Sequence, residues 1–153
     1  MVARSNPSPE EVRTYLEWAG SRLLALNIAS PKPRGPHTAW PTFAEDKHMA
    51  YGYTGERLRP AQPRSQEIEL MDKILRFPSF ITDDTSRRIV NSRALVTPVS
   101  NRYLYSWARL AFVLDMDKRR VIRLHYAGLC DISKRLPQEK MDAIRPLLSL
   151  ISN

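Results

Sequence analysis

The sequence is poor in several of the residues on which whole classes of chemistry depend. It holds one cysteine, Cys130, which excludes an internal disulfide framework, and its three histidines, His37, His48 and His125, make no zinc-ligand spacing with it. Only five glycines occur, and none builds a loop able to cradle a phosphate. No apolar run approaches the roughly 18 residues of a membrane span, and Glu10 and Glu11 stand where a secretory signal would be uniformly apolar; a cytoplasmic protein away from membranes is expected. No nucleophile, base and orienting group assemble from nearby residues. The expectation is a non-enzyme with no catalytic residues, no metal and no cofactor.

Acid is scarce in one third of the chain. Between residues 85 and 135 eleven basic side chains face three acidic ones, Asp115, Asp117 and Asp131, whereas the remaining residues carry thirteen of each sign. The whole net charge of +8 therefore sits in that third, as suits a polyanion-facing surface better than general solubility. Arginine outnumbers lysine 18 to 6, and the planar guanidinium is the better fork for phosphate oxygens and guanine edges.

With 153 residues, 42% of them apolar, the chain fits a single domain, residues 1–153, of all-α class. An N-terminal helix is read over residues 8–26. Ser8 and Glu11 have capping-box spacing, Pro9 suits a first turn, and Val12, Tyr15, Leu16, Ala19, Leu23 and Leu26 form one apolar stripe. Residues 27–64 lose all periodicity and hold six of the twelve prolines. They read as a proline-rich arm laid over the helices, with a short helical turn near 44–51; its aromatics, Trp40, Phe43, Tyr51 and Tyr53, argue against full disorder. The spacing of Pro33, Arg34 and Pro36 also suits a proline-rich ligand, a pattern common by chance.

A helix-turn-helix unit follows over 65–136. Ile68, Met71 and Leu75 outline a helix from about 65 to 77 that Pro78 stops, and Thr82 with Asp83 caps another with inner residues Ile89, Val90 and Ala94. Asp83 and Asp84 are read as helix-start acids rather than catalysts. The C-terminal amphipathic helix, 137–153, carries Met141, Ile144, Leu147, Leu148 and Ile151, with Pro146 expected to kink or split it. It would either close the core or form a dimer surface.

Residues 107–126 hold the decisive pattern, two short helices joined by a tight turn. A helix-turn-helix needs a small residue where its helices touch and apolar residues around it, and Ala111 with Leu110, Leu114, Met116, Val121 and Leu124 fills those places. Asp115 takes the turn position usually held by glycine and is one of the few residues that tolerates the left-handed conformation; Asp117 is placed to cap the second helix. Together the two acids also have a spacing that suits a divalent ion, but turn and cap account for them better. Opposite Val121 and Leu124 the second helix presents Arg119, Arg123 and Tyr126, flanked by Lys118, Arg120 and Ile122. Arginine can grip guanine, Ile122 can meet a thymine methyl, and the tyrosine hydroxyl can reach phosphate. Arg102, Ser106 and Arg109, at or along the first helix, are the expected phosphate contacts. His125 reads as a helix-end residue or phosphate donor, Cys130 as a small buried hydrophobe, and Trp18, Trp40 and Trp107 as core or loop anchors. Hairpins of this kind also occur in helical cores that touch no nucleic acid; coincidence with the basic third favours double-stranded DNA, and no RNA-type signature is present.

Residues 82–136, with Arg87, Arg88, Ile89 and Val90 leading into the motif, resemble the trihelical DNA-binding unit of sigma-factor region-four type. Trp40-Pro41, Ala50-Tyr51-Gly52-Tyr53, Arg59-Pro60 and Met71-Asp72 extend a resemblance to small helix-turn-helix proteins encoded in bacterial prophages. That resemblance implies a phage-derived origin and a DNA-facing module, from which the stretch 96–105 departs as an insertion. The leading expectation is a phage-type transcriptional regulator that binds DNA sequence-selectively as a homodimer. A small terminase subunit of a packaging machine and a protein-binding adaptor working through the proline-rich arm are the alternatives.

Overall fold

Ser8 opens the first helix as its neighbours dictate. In the computed structural model, which describes residues 6–26 and 60–151, the Ser8 hydroxyl accepts from the Glu11 amide at 3.3 Å while the Glu11 carboxylate accepts from the Ser8 amide at 2.7 Å. Helix α1 then runs Pro9–Ala25 with Val12, Leu16 and Ala19 buried along one side. Residues 27–59 of the expected arm, including the turn near 44–51, the proline pattern around Arg34, and Trp40, lie outside the described residues. Residues 60–64 lead into α2 without helix.

Helix α2 spans Ser65–Ile74, three residues short of the expected end. Pro78 is the reason. It has no amide to give the Ile74 carbonyl, and its ring crowds that carbonyl. The α-ladder closes with the Leu75 amide on Met71 at 2.9 Å, and the chain tightens into a 3₁₀ turn, Phe77–Phe80, with Pro78 inside it. Helix α3, Asp84–Ala94, starts where Asp83 accepts from the Ser86 amide at 2.7 Å, a contact that holds the Asp83 carboxyl below its ordinary range. The paired acids are thus a cap and a first-turn charge.

Two further helices, α4 (Trp107–Val113) and α5 (Lys118–Arg135), form the motif, and α6 (Gln138–Ile144) runs directly into a 3₁₀ helix, Arg145–Leu150. The split falls at Pro146 as expected. The dimer role expected for this segment is not supported: Met141 and Ile144 are buried and Leu147, Leu148, Leu150 and Ile151 pack on the chain's own core, so its apolar side is already covered. The described residues are all-α; their one β contact is an isolated antiparallel bridge between Val96 and Tyr103. Among them no helix is long and apolar enough to cross a membrane.

The helices enclose two separate cores. The larger gathers Leu16 of α1, Leu70 and Ile74 of α2, Phe77, Val90 of α3, Leu129 and Ile132 of α5, and Ile144. A smaller one holds Ile89, Leu110 and Val121, closed by Trp107, Ala111, Leu114, Met116 and Leu124. Helices α3 and α5 contribute to both. Close approach to α3 is possible because two helical positions are glycine. A Cβ on Gly20 would lie 2.0 Å from the Ala94 carbonyl oxygen, whereas one on Gly128 would meet only side chains, Val90 Cγ2 at 2.9 Å and Ile81 Cδ1 at 3.3 Å.

That difference separates two substitutions. Gly→Ala in a helix gains up to about 1 kcal/mol of propensity, but at Gly20 the methyl meets backbone that cannot rotate away, and overpacking of this kind costs about 1–3 kcal/mol. Gly20→Ala is expected to lower unfolding stability by about 2 kcal/mol, and Gly128→Ala by less than about 1 kcal/mol, in urea titrations followed by circular dichroism.

Candidate nucleic-acid interface

The corner between α4 and α5 is made by backbone hydrogen bonds that one residue's conformation permits. Asp115 has φ of 49°, the left-handed region foreseen for it. With that turn in place the Met116 amide reaches back to the Ala111 carbonyl at 3.0 Å and the Asp115 amide to Phe112 at 3.3 Å, the paired closure of a Schellman cap. Two residues later the Asp117 carboxylate accepts from the Arg119 amide at 3.0 Å and starts α5. At the other end of α4 the Ser106 hydroxyl accepts from the Arg109 amide at 3.2 Å.

Capped in this way, α5 exposes Lys118, Arg119, Arg120 and Arg123 on its first two turns. Their electrostatic setting differs from that of five cations on the other helices and turns. Arg13, Arg22, Lys73, Arg87 and Arg145 each lie within 4.0 Å of a carboxylate. Among the described residues none of Arg102, Arg109, Lys118, Arg119, Arg120 and Arg123 does. Helices α1, α2, α3 and α6 carry acid in the first turn, as the macrodipole favours, whereas the first turn of α5 holds three cations, with the Asp117 cap as the one acid beside them. Each exposed cation there costs about 0.3–1 kcal/mol, which an incoming anion would reverse.

The other expected contacts are not all where the spacing put them. Arg102 is not on or at the start of α4 but in a tight hairpin before it. Between α3 and α4, over residues 95–106, the chain doubles back, with the Thr97 amide on the Arg102 carbonyl at 2.8 Å and the Leu104 amide on the Leu95 carbonyl at 2.9 Å. Ser106 is the α4 cap, and Arg109 stands on α4 with its guanidinium 5.5 Å from the Tyr105 ring centre. Ile122 and Tyr126 are exposed, yet they also line a cleft of about 380 Å³ whose far wall is Glu10, Arg13 and Glu17 of α1. They occupy the margin of the cationic face rather than its centre. Helix α5 itself is 18 residues long, not short, because its C-terminal half is held in the larger core.

The hairpin is fastened by a residue that charge counting placed on the basic surface. Arg93 is only 6% exposed. Its guanidinium lies 3.4 Å from the Tyr103 ring centre and 4.0 Å from that of Trp107, and it donates to the Tyr105 carbonyl at 2.8 Å. The Tyr103 hydroxyl in turn donates to Glu17 at 2.8 Å. Sequence did hold a signal: Arg93 follows Ile89 by four and Val90 by three, on the inner stripe of α3. His125 corrects its expectation as well. It is mid-helix and 8% exposed, its ring set edge-on to Trp107 at 5.1 Å and 79°. Burial, then the Arg93 and Arg13 charges, lower its pKa from 6.5 to about 4, so it stays neutral and inward rather than meeting phosphate. Trp18 is half-buried against the larger core, and Cys130 is partly exposed. Among the described residues no three His, Cys, Asp or Glu side chains gather into a candidate metal cluster.

Compared with known proteins, residues 27–132 match a family model described as a domain of unknown function (DUF6362). No curated protein and no solved structure matches.

The low pKa of His125 has a measurable consequence. An unfolded chain takes up this proton near pH 6.5 and the folded one near pH 4, so stability is full above the first value and falls as pH drops toward the second. The loss is expected to be on the order of 3 kcal/mol. Urea unfolding at stepped pH should show this slope, and His125→Phe, which keeps a ring against Trp107, should flatten it.

Proposed function

The chain belongs to the DUF6362 family, and from the geometry of α4 and α5 we propose that it binds double-stranded DNA sequence-selectively, as a transcriptional regulator of phage type. The N-terminal turns of α5 enter the major groove. Arg119 and Arg123, at the centre of the exposed side, read base edges, with guanine O6 and N7 as the matching acceptors. Lys118 and Arg120 flank them, and Ile122 and Tyr126 touch the groove wall at the margin. Arg102, Ser106 and Arg109 meet the phosphate backbone.

The observation that carries this reading is the gathering of cations without a carboxylate partner at one corner of the fold. Among the described residues, the six cations around the helix-turn-helix corner have no carboxylate within 4.0 Å and four of them share the first two turns of α5, whereas Arg13, Arg22, Lys73, Arg87 and Arg145 are each paired. Three of the six also crowd the positive end of the α5 macrodipole. An arrangement this unfavourable for the isolated molecule is relieved by a dense line of phosphates, since binding releases the counterions that screen both partners.

The test is a duplex titration at several salt concentrations, using a preferred fragment selected from genomic DNA. Arg119→Ala with Arg123→Ala should erase the preference for that fragment over scrambled duplex. Arg109→Ala should weaken binding to both and reduce the slope of log affinity against log salt by about one. A double variant that binds the preferred fragment as tightly as the parent chain would falsify the assignment of the reading helix.

A further inference from the structure

Neither core nor the cationic face accounts for the end of α4. Phe112 is 86% exposed and Val113 68%, on consecutive residues, while Leu110 and Ala111 of the same short helix turn inward. Isolated exposed apolar residues are ordinary, but a nearly bare phenylalanine beside an open groove is not. The groove lies between α3 and α4 and encloses about 310 Å³, more than a phenyl ring needs. Ile89 and Leu110 form its floor, Val113 and Leu114 one lip, and Arg88 the other.

We infer that this face pairs with the same face of a second copy of the chain about a two-fold axis, each Phe112 seated in the groove of the other copy. A second copy is favoured over an unrelated protein because protrusion and groove stand side by side on one surface. Isologous contacts require that self-complementarity: a residue meets its counterpart's neighbour, and the reverse follows by symmetry. Charge agrees with it. The α3 lip carries Arg88 and the α4 side ends in Asp115, both exposed and neither ion-paired among the described residues. In the pairing inferred, Arg88 of one copy and Asp115 of the other are the complementary charges available at its edge. A contact centred on one protruding phenylalanine is expected to bury less than the roughly 800 Å² per partner of a standard stable interface, so the pairing is expected to be weak and concentration-dependent. It replaces the C-terminal segment, whose apolar residues are used internally, and it needs no nucleic acid.

Sedimentation velocity of the full chain without DNA, from about 1 μM to about 1 mM, tests it. A reversible monomer–dimer equilibrium is expected. Phe112→Ser should raise the dissociation constant at least about 30-fold, with circular dichroism and melting temperature unchanged because the residue is on the surface. Arg88→Gln and Asp115→Asn should each raise it, and together by less than the product of their separate effects; asparagine is chosen because it tolerates the left-handed turn. A monomer throughout the range, a dimer indifferent to Phe112→Ser, or a closed ring of many copies overturns the inference. Arg119 and Arg123 are untouched in every variant, so duplex binding is judged separately.

Discussion

Helix α5 has to be buried in two places at once. Val121 sits in the small core of the helix-turn-helix corner, and Leu129 and Ile132, two to three turns later, sit in the main core. Burying a Val, Leu or Ile side chain is worth about 1.5–3 kcal/mol, whereas a cation at a helix N-terminus costs about 0.3–1 kcal/mol. Burial therefore outweighs the repulsion by a wide margin, and the first turn can hold three cations without fraying. The helix behaves as a beam fixed at its C-terminal half, with its charged end supported by α3 and α4. Had α5 stopped at the motif, as its spacing suggested, that charged end would have rested on the small core alone.

A second support comes from an arginine in an unusual role. Arg93 leaves α3 inward and is clasped by the rings of Tyr103 and Trp107, tying the inserted hairpin to α3 and to the start of α4. Burial lowers its pKa, but a guanidinium starts so high that it remains charged. Lysine would be a poor substitute, because its strongly hydrated ammonium loses more on leaving water and has no flat face to lay on a ring. The hairpin before α4 thus carries its own fastening, extended to α1 through Tyr103 and Glu17.

Local signals were the legible part of the sequence. Caps at Ser8, Asp83 and Asp117, the left-handed Asp115 and the break at Pro146 each depend on one or two side chains meeting nearby backbone, so residue type and spacing suffice. Ends set by a distant partner were less so. The length of α5 depends on apolar residues reaching a core assembled from α1, α2 and α6, and α2 ends early because of a proline four residues on. Of the candidate interface, the four α5 cations are exposed together as the 100° periodicity required, while Arg102 was misplaced because a hairpin leaves little periodic trace. Arg93 and His125 were misjudged for another reason: polarity suggests the surface, and packing against aromatic rings is what holds them inside.

Neutral His125 also bears on what accompanies any meeting of this face with a polyanion. The side chains offered outward are guanidinium and ammonium groups, and the imidazole beneath them is held far from taking up a proton at neutral pH. Association would exchange small ions with the solvent but not hydrogen ions through this imidazole. In a calorimeter, its heat would then carry no contribution from His125 that varied with the ionisation enthalpy of the buffer.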